Sequence, residues 1–335
     1  GVRLVGSEMC IRDSYILERF FGEYTKEEYL SLEEDKFQKI VCAYLAEYAV
    51  KYFGEEQLES NSFTYRLKTI LDNVMYLMKH IMEELSQSEF FVADCELKIG
   101  EDIPSYTIVL PDGHKIAVCG SVDRVDIMQR ADITYLRIID YKTGTKQFKL
   151  SDILYGINLQ MLLYLHSIEA SGGDKYGEIV PAGILYMPAT VPYISSDSLK
   201  SIDKLPDELN KKLKMNGLLL KDTEIIHGMD KTDVATYIPV KIKAGEPVSS
   251  TSLATLAEFG KIFKKVDMLI AEMGKNIYNG NIEAKPLKGG HDSCEYCPYD
   301  SVCAYRQSNP ITCFSVDNKT VIEEITNEIN GKEEE

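Results

Sequence analysis

The sequence predicts an α/β protein with a helical front, a mainly antiparallel central sheet and a cysteine-rich C-terminal end. Three observations carry that expectation. Apolar residues recur every three or four positions from Tyr15 to Ser86, and the period then falls to two between Phe91 and Tyr141. Cys294, Cys297 and Cys303 fall within ten residues near the end of the chain.

Ile16, Leu17, Phe20 and Phe21, then Phe37, Ile40, Val41, Tyr44 and Leu45, are spaced as the apolar faces of helices up to about Gly54. Leu67, Ile70, Leu71, Val74, Met75, Met78 and Ile81 repeat that spacing in a helix over about Ser62–Ser86. Phe91–Ile99, Tyr106–Leu110, Lys115–Met128 and Ile133–Tyr141 read as four strands, parted by turn residues such as Pro111-Asp112-Gly113. A helix is expected over about Ser151–Ala170, with Ser151 as N-cap and Gly172-Gly173 as the stop. Ala182–Met187 reads as a buried strand. Residues 193–250 read as a polar insertion with a short helix at Pro206–Met215, and a long helix is expected over about Thr251–Tyr278. The acidic stretch Glu323–Glu335 is expected to be a frayed, solvated end, with 311–335 as a tail. Gly1–Ser14 fits the pattern poorly. Its string Met9-Cys10-Ile11-Arg12-Asp13-Ser14 resembles a translated sequencing adaptor, so the fold is expected to start at Tyr15 and to run to about residue 310.

With 335 residues, 44% of them apolar, the chain can bury a sizeable core. No run approaches the roughly 20 apolar residues of a membrane span, and no secretory signal opens the chain. Eight cysteines in that setting point to a reducing compartment and metal ligation, hence a cytoplasmic protein. The net charge of −16 argues against a protein that coats nucleic acid by itself. It leaves room for an acidic site that meets DNA through a bound cation, with the DNA delivered by a partner protein. No G-x-x-x-x-G-K-[ST] occurs, so nothing points to ATP binding by this chain.

The chemistry is concentrated in Gly120-Ser-Val-Asp123-Arg124-Val-Asp126 and Ile138-Ile139-Asp140-Tyr141-Lys142-Thr143-Gly144. Alternation puts Leu136, Ile138, Asp140 and Lys142 on one strand face, so two charges end an otherwise aliphatic row. A tight turn at Ala131-Asp132 folds the preceding strand back and places Asp123 directly opposite Asp140, with Cβ atoms about 5 Å apart. Two ionised carboxylates that close repel, and a divalent cation such as Mg²⁺ is the simplest remedy. Asp126 faces the other way. Lys142 beside the cation could orient a water and offset developing charge, as phosphodiester hydrolysis requires. Gln160 and Tyr164, at i and i+4 of the next helix, are candidates to hold the lysine or the phosphate, and Lys146 and Lys149 to support the DNA. An isolated Asp-x-Lys would more often be a salt-bridged surface hairpin.

These stretches, with Gly156–Tyr164, resemble the nuclease motifs of RecB-like PD-(D/E)XK proteins, which implies a restriction-endonuclease-like core. By that resemblance Asp123 and Asp140 ligate metal, Lys142 is the catalytic lysine, and Glu96 matches a family acidic residue. The family also places a metal-ligating histidine just before a helix start like Tyr15-Ile-Leu-Glu, where this chain has Ser14.

Three thiols at Cys294-x-x-Cys297-x5-Cys303 are spaced for zinc or an iron–sulfur cluster, with His291 or Cys313 available as a fourth zinc ligand. C-E-Y-C-P-Y-D-S-V-C resembles the end of the AddB proteins of helicase–nucleases, as do Leu213–Leu220 and Ile277–Pro286. That likeness implies a [4Fe–4S] cluster completed by a far-upstream cysteine, which Cys10 would match only by chance, and clamping the C-terminal end to the front. It further implies DNA and an AddA-like helicase–nuclease subunit as partners in double-strand break repair. Cys42, Cys95 and Cys119 read as core thiols. Two other readings are a stand-alone or CRISPR-associated RecB-like exonuclease and an inactive nuclease fold that holds DNA.

Overall fold

The computed structural model describes residues 7–54, 60–142, 144, 147–190, 205–249, 251–295, 297–299, 301–303 and 310–333. The helical front comprises α1 (Ser7–Glu23), α2 (Lys26–Leu30), α3 (Glu34–Phe53) and α4 (Asn61–Ser86). The first helix thus begins at Ser7 instead of Tyr15. Between α1 and α2 the chain is reset by a capping box: Thr25 Oγ1 accepts the Glu28 N–H, while the Glu28 carboxylate accepts the Thr25 N–H. Of the apolar positions read from the spacing, Ile16, Leu17, Phe20, Phe37, Val41, Tyr44, Leu45, Val74, Met78 and Ile81 are buried, whereas Phe21, Ile40, Leu67, Ile70, Leu71 and Met75 are only partly buried against the core.

Twelve short or long strands follow among the described residues: β1 (Phe91–Ile99), β2 (Tyr106–Val109), β3 (Lys115–Val118), β4 (Gly120–Arg130), β5 (Ile133–Lys142), β6 (Glu178–Pro188), β7 (Asn216–Leu220), β8 (Lys241–Lys243), β9 (Glu246–Val248), β10 (Leu253–Ala254), β11 (Leu287–Gly289) and β12 (Ile311–Cys313). Six of them form the central sheet in the order β1-β4-β5-β6-β7-β10. The sheet is mixed: β5–β6 and β7–β10 are parallel and the other three pairs antiparallel. Three of its five pairs are thus antiparallel, as expected, and the two parallel pairs are an addition to that expectation. A parallel neighbour needs a crossover, and the one from β5 to β6 contains α5 (Gln160–Ser171) and α6 (Gly173–Tyr176).

Several expected boundaries move for identifiable reasons. Lys115–Met128 is two strands, because β3 pairs with β2 in a separate hairpin and the chain enters the central sheet after Cys119. The expected Ser151 helix is a 3₁₀ segment, Leu150–Tyr155, ended by Gly156 in the left-handed conformation (φ +69°), with Ser151 buried and no capping bond from the preceding Lys149. α5 then starts at Gln160. The expected insertion is only partly one: residues 191–204 lie outside the described residues, α7 (Leu205–Leu213) and α8 (Thr223–Met229) follow, and β7 between them is an inner strand of the sheet.

The long helix α9 (Leu256–Tyr278) begins later than expected, where Thr255 and Glu258 form a second capping box. The expected frayed tail is instead a helix, α10 (Asn318–Glu333). Its Val321, Ile322, Ile325 and Ile329 are buried, and its Glu328 pairs with the buried Lys265 of α9. Among the described residues no helix is long and apolar enough to cross a membrane.

Candidate active site

The β4–β5 ladder runs from Arg130↔Ile133 to Arg124↔Ile139. Continued by one position, that register sets Asp123 beside Asp140, and the Asp140 charge is among those that act on Asp123. Asp123 Oδ2 accepts the Tyr141 N–H at 3.1 Å, tying the carboxylate to the neighbouring strand. Lys142 Nζ lies 2.5 Å from Asp140 Oδ2. That contact is an ion pair; the buried Oδ2 accepts no hydrogen bond of good geometry. Beside them, Tyr186 stands opposite Asp140 on β6, and Lys142 Nζ lies 5.9 Å from its ring centroid.

Burial pushes the Asp123 carboxyl up to about 7, and the Asp140 charge pushes in the same direction; the Tyr141 N–H opposes both. Glu96 adds a smaller upward push and Lys142 a smaller downward one. Two carboxylates are thus held together against their own repulsion, one of them ion-paired with Lys142. This hard, anionic oxygen set fits a hard divalent cation. No group of three or more His, Cys, Asp or Glu among the described residues is gathered closely enough to hold a metal, so the pair Asp123 and Asp140 is the candidate.

Glu96 stands opposite Asp123, between the pairs Cys95↔Arg124 and Leu97↔Val122, and accepts a 2.8 Å hydrogen bond from Ser121 Oγ. Its φ is +53°, in the left-handed region, inside a strand. Non-glycine residues there are strained by roughly 1 kcal/mol or more, and such strain persists where the surroundings dictate a side chain's position. Glu96→Gly is therefore expected to raise the urea midpoint of the metal-free chain, by about 1 kcal/mol of stability. A lowered midpoint would show that the backbone there is not strained.

The expected pair on α5 is present: Gln160 Nε2 donates to the Tyr164 hydroxyl at 3.4 Å. That hydroxyl occupies the space next to Gly120, where a Cβ would lie only 2.2 Å from it. The glycine at the head of β4 is thereby explained. Lys149 is exposed, and Lys146 lies outside the described residues.

Asp126 faces away from Asp123, into a group that the sequence did not announce. Arg124, Asp126, Arg137 and Glu84 of α4 are all fully buried. Arg124 donates twice to Asp126, at 2.6 Å each, and at 2.9 Å to Glu84. Arg137 reaches both acids as well, at 2.8 Å and 2.5 Å. Only the composition of the Asp-Arg-x-Asp stretch hinted at it, since two opposite charges two apart share a strand face.

The expected cysteine knot is not shown among the described residues. Cys294 and Cys297 lie in consecutive turns, half-buried, Cys303 is exposed, and they are not gathered into a metal-holding group. His291 is exposed, Cys313 is buried on β12, and the Cys10 side chain lies outside the described residues. An iron–sulfur cluster is thus not shown among the described residues. Cys95 and Cys42 are at least partly buried, whereas Cys119 is exposed, which corrects its reading as a core thiol.

Comparison with known proteins agrees with the geometry of the sheet. The family model of the PD-(D/E)XK nuclease superfamily matches residues 15–304. The B subunit of the ATP-dependent helicase/deoxyribonuclease of Thermoanaerobacter sp. (strain X514) is 38% identical over 246 residues, 72% of this chain and 21% of that protein. The proteins of the same name from Alkaliphilus oremlandii (strain OhILAs) and Alkaliphilus metalliredigens (strain QYMF) are 36% and 33% identical, over 78% and 87% of this chain and 24% and 26% of their own lengths. The chain thus spans about a fifth to a quarter of the relatives it matches, in their C-terminal region. With its helical front, mixed sheet and Asp-x-Lys strand, the chain belongs to the PD-(D/E)XK nuclease superfamily.

Proposed function

We propose that this chain is the Mg²⁺-dependent DNA exonuclease domain of an AddAB-type helicase–nuclease, acting with an AddA-like subunit in recombinational repair of double-strand breaks. The reading is supported above all by the Lys142–Asp140 ion pair and by the Asp140 and Lys142 charges that act on Asp123. Asp123 and Asp140 would hold the cation. When bound, it supplies Lewis-acid polarisation of the phosphodiester and eases ionisation of the attacking water. Asp140 keeps the Lys142 ammonium at the site, and the ammonium offsets negative charge as it develops on the phosphate. Glu96 and Asp123 add anionic character that favours a cation over a bare phosphate, so DNA approaches only once the cation is present. Gln160 and Tyr164 shape the wall beside Gly120, and Lys149 with Lys146 would support the DNA backbone.

The test is degradation of linear DNA with Mg²⁺ and with EDTA, by this chain and by its Ser14→His variant, since Ser14 stands at the family's histidine position. Mg²⁺-dependent cleavage by either is the expected result; none by either overturns the reading.

The same reading includes a [4Fe–4S] cluster on Cys294, Cys297 and Cys303, supported by their spacing and by resemblance. A cubane needs four thiolates, and these three are not gathered here. The purified chain is therefore expected to hold less than about one iron, and a longer chain with an upstream cysteine about four. One tightly held zinc per chain, measured by elemental analysis, would overturn the cluster and leave the nuclease site untouched.

A further inference from the structure

The mechanism leaves one cluster of titratable side chains unused. His166, two residues beyond Tyr164 on α5, is largely buried and bonded on both ring nitrogens. Nε2 lies 3.2 Å from the Tyr106 hydroxyl of β2 and 3.2 Å from Asp267 Oδ2 of α9; Nδ1 lies 3.2 Å from Glu169 Oε2. The Tyr106 hydroxyl donates to the same Asp267 oxygen at 2.9 Å. The imidazole also stacks on Phe263 of α9, with centroids 4.6 Å apart and planes 16° apart. One side chain thus joins α5, the β2–β3 hairpin and α9.

The placement matters because of what lies next to it. Tyr106 pairs with Val118, and Gly120 follows two residues later. Tyr164 lies two residues before His166 on another face of α5, and its hydroxyl fills the space over Gly120. The His166–Tyr106 contact thus ties α5 to β2, and the Tyr164–Gly120 contact ties α5 to β4, which the chain enters directly after β2's partner β3. Gly120 opens the strand that carries Ser121, with its bond to Glu96, and Asp123.

We propose that His166 is a positioning residue for the nuclease site, a clasp that keeps Tyr164 seated on Gly120 and so fixes the start of β4. The proposal rests on the nuclease reading. It is supported by the acid–base state of the ring. Burial alone would lower the imidazole pKa, but the hydrogen bonds to Asp267 and Glu169 outweigh it and raise it to about 9, so both nitrogens donate at neutral pH.

Two measurements test it. In steady-state cleavage of linear DNA with Mg²⁺, His166→Leu and Tyr164→Phe should each lower kcat about tenfold and leave KM within about twofold. Together they should cost no more than about tenfold, because both act through one contact. A double variant about a hundredfold down, or a His166→Leu variant with wild-type kcat, overturns the proposal. In hydrogen exchange by mass spectrometry, His166→Leu should speed exchange of the amides of Gly120–Val122 about tenfold, with those of β6 unchanged. Unchanged exchange at Gly120–Val122 also overturns it. Where His166→Leu fails to fold, Tyr106→Phe removes one bond of the clasp and must shift the same amides in the same direction. Absence of Mg²⁺-dependent cleavage in both this chain and its Ser14→His variant overturns the nuclease reading, and the exchange measurement alone then decides the clasp; where only Ser14→His cleaves, the kinetic comparison is made in that background.

Discussion

Asp140→Ala and Lys142→Ala should each reduce Mg²⁺-dependent DNA cleavage by at least about a thousandfold, the scale of losing a charge-stabilising group or a metal ligand. The loss should not come from unfolding. Asp140 is buried, ion-paired with Lys142 and with its charge pressed against Asp123. Asp140→Asn keeps the shape and removes that repulsion together with the Lys142 ion pair, so the two changes offset and the stability of the metal-free chain should move by less than about 1 kcal/mol. Mg²⁺ should stabilise the wild type by mass action and leave Asp140→Asn almost unmoved. Thermal melts with and without Mg²⁺, run beside the cleavage assay, check both halves. A variant that cuts DNA near the wild-type rate removes Asp140 from the site.

That site was legible in the sequence because it depends on local rules. A two-residue turn between Arg130 and Ile133 fixes the register of the flanking strands, and alternation then assigns Asp123, Asp140 and Lys142 to one face and Asp126 to the other. What was not legible depends on partners distant in sequence or on competing signals. Glu84 is 40 residues from Arg124 and sits on a helix whose spacing says only that one side is apolar. The tail helix carries Val321, Ile325 and Ile329 at four-residue steps, but its acidic neighbours masked an apolar stripe that α9 and Lys265 now cover. Gly156 and Thr255 each reset a helix start, and both are turn or cap residues that could have been weighed as such. The parallel partners of β5 and β7 follow from chain crossovers, which a strand-by-strand reading does not order.

The second large effect concerns stability and lies behind the active face. Two guanidinium groups and two carboxylates, all fully buried, are neutral only as a set. Burial works against the ionised Asp126, yet Arg124 and Arg137 hold its carboxyl below the usual carboxylate range. Removing one acid leaves two cations on the other, and a broken buried pair typically costs about 3–5 kcal/mol. Glu84→Ala should therefore shift the urea midpoint by that amount with little change in slope, and Asp126→Ala similarly. A loss below about 1 kcal/mol would mean that water reaches the group. Replacing all four by apolar residues of similar size should cost far less, because no charge is then left unpaired. The set also bears on catalysis. Asp126 pairs directly with Arg137 across β4 and β5, in the register that puts Asp123 beside Asp140. A slip of one residue would send Asp126 to the active face and Asp123 into the core, so the buried charges oppose any other alignment. At temperatures where Glu84→Ala remains folded, its kcat should accordingly stay near that of the wild type. A large loss of kcat in the folded variant would show that the charges tune the site directly instead of holding its strands in register.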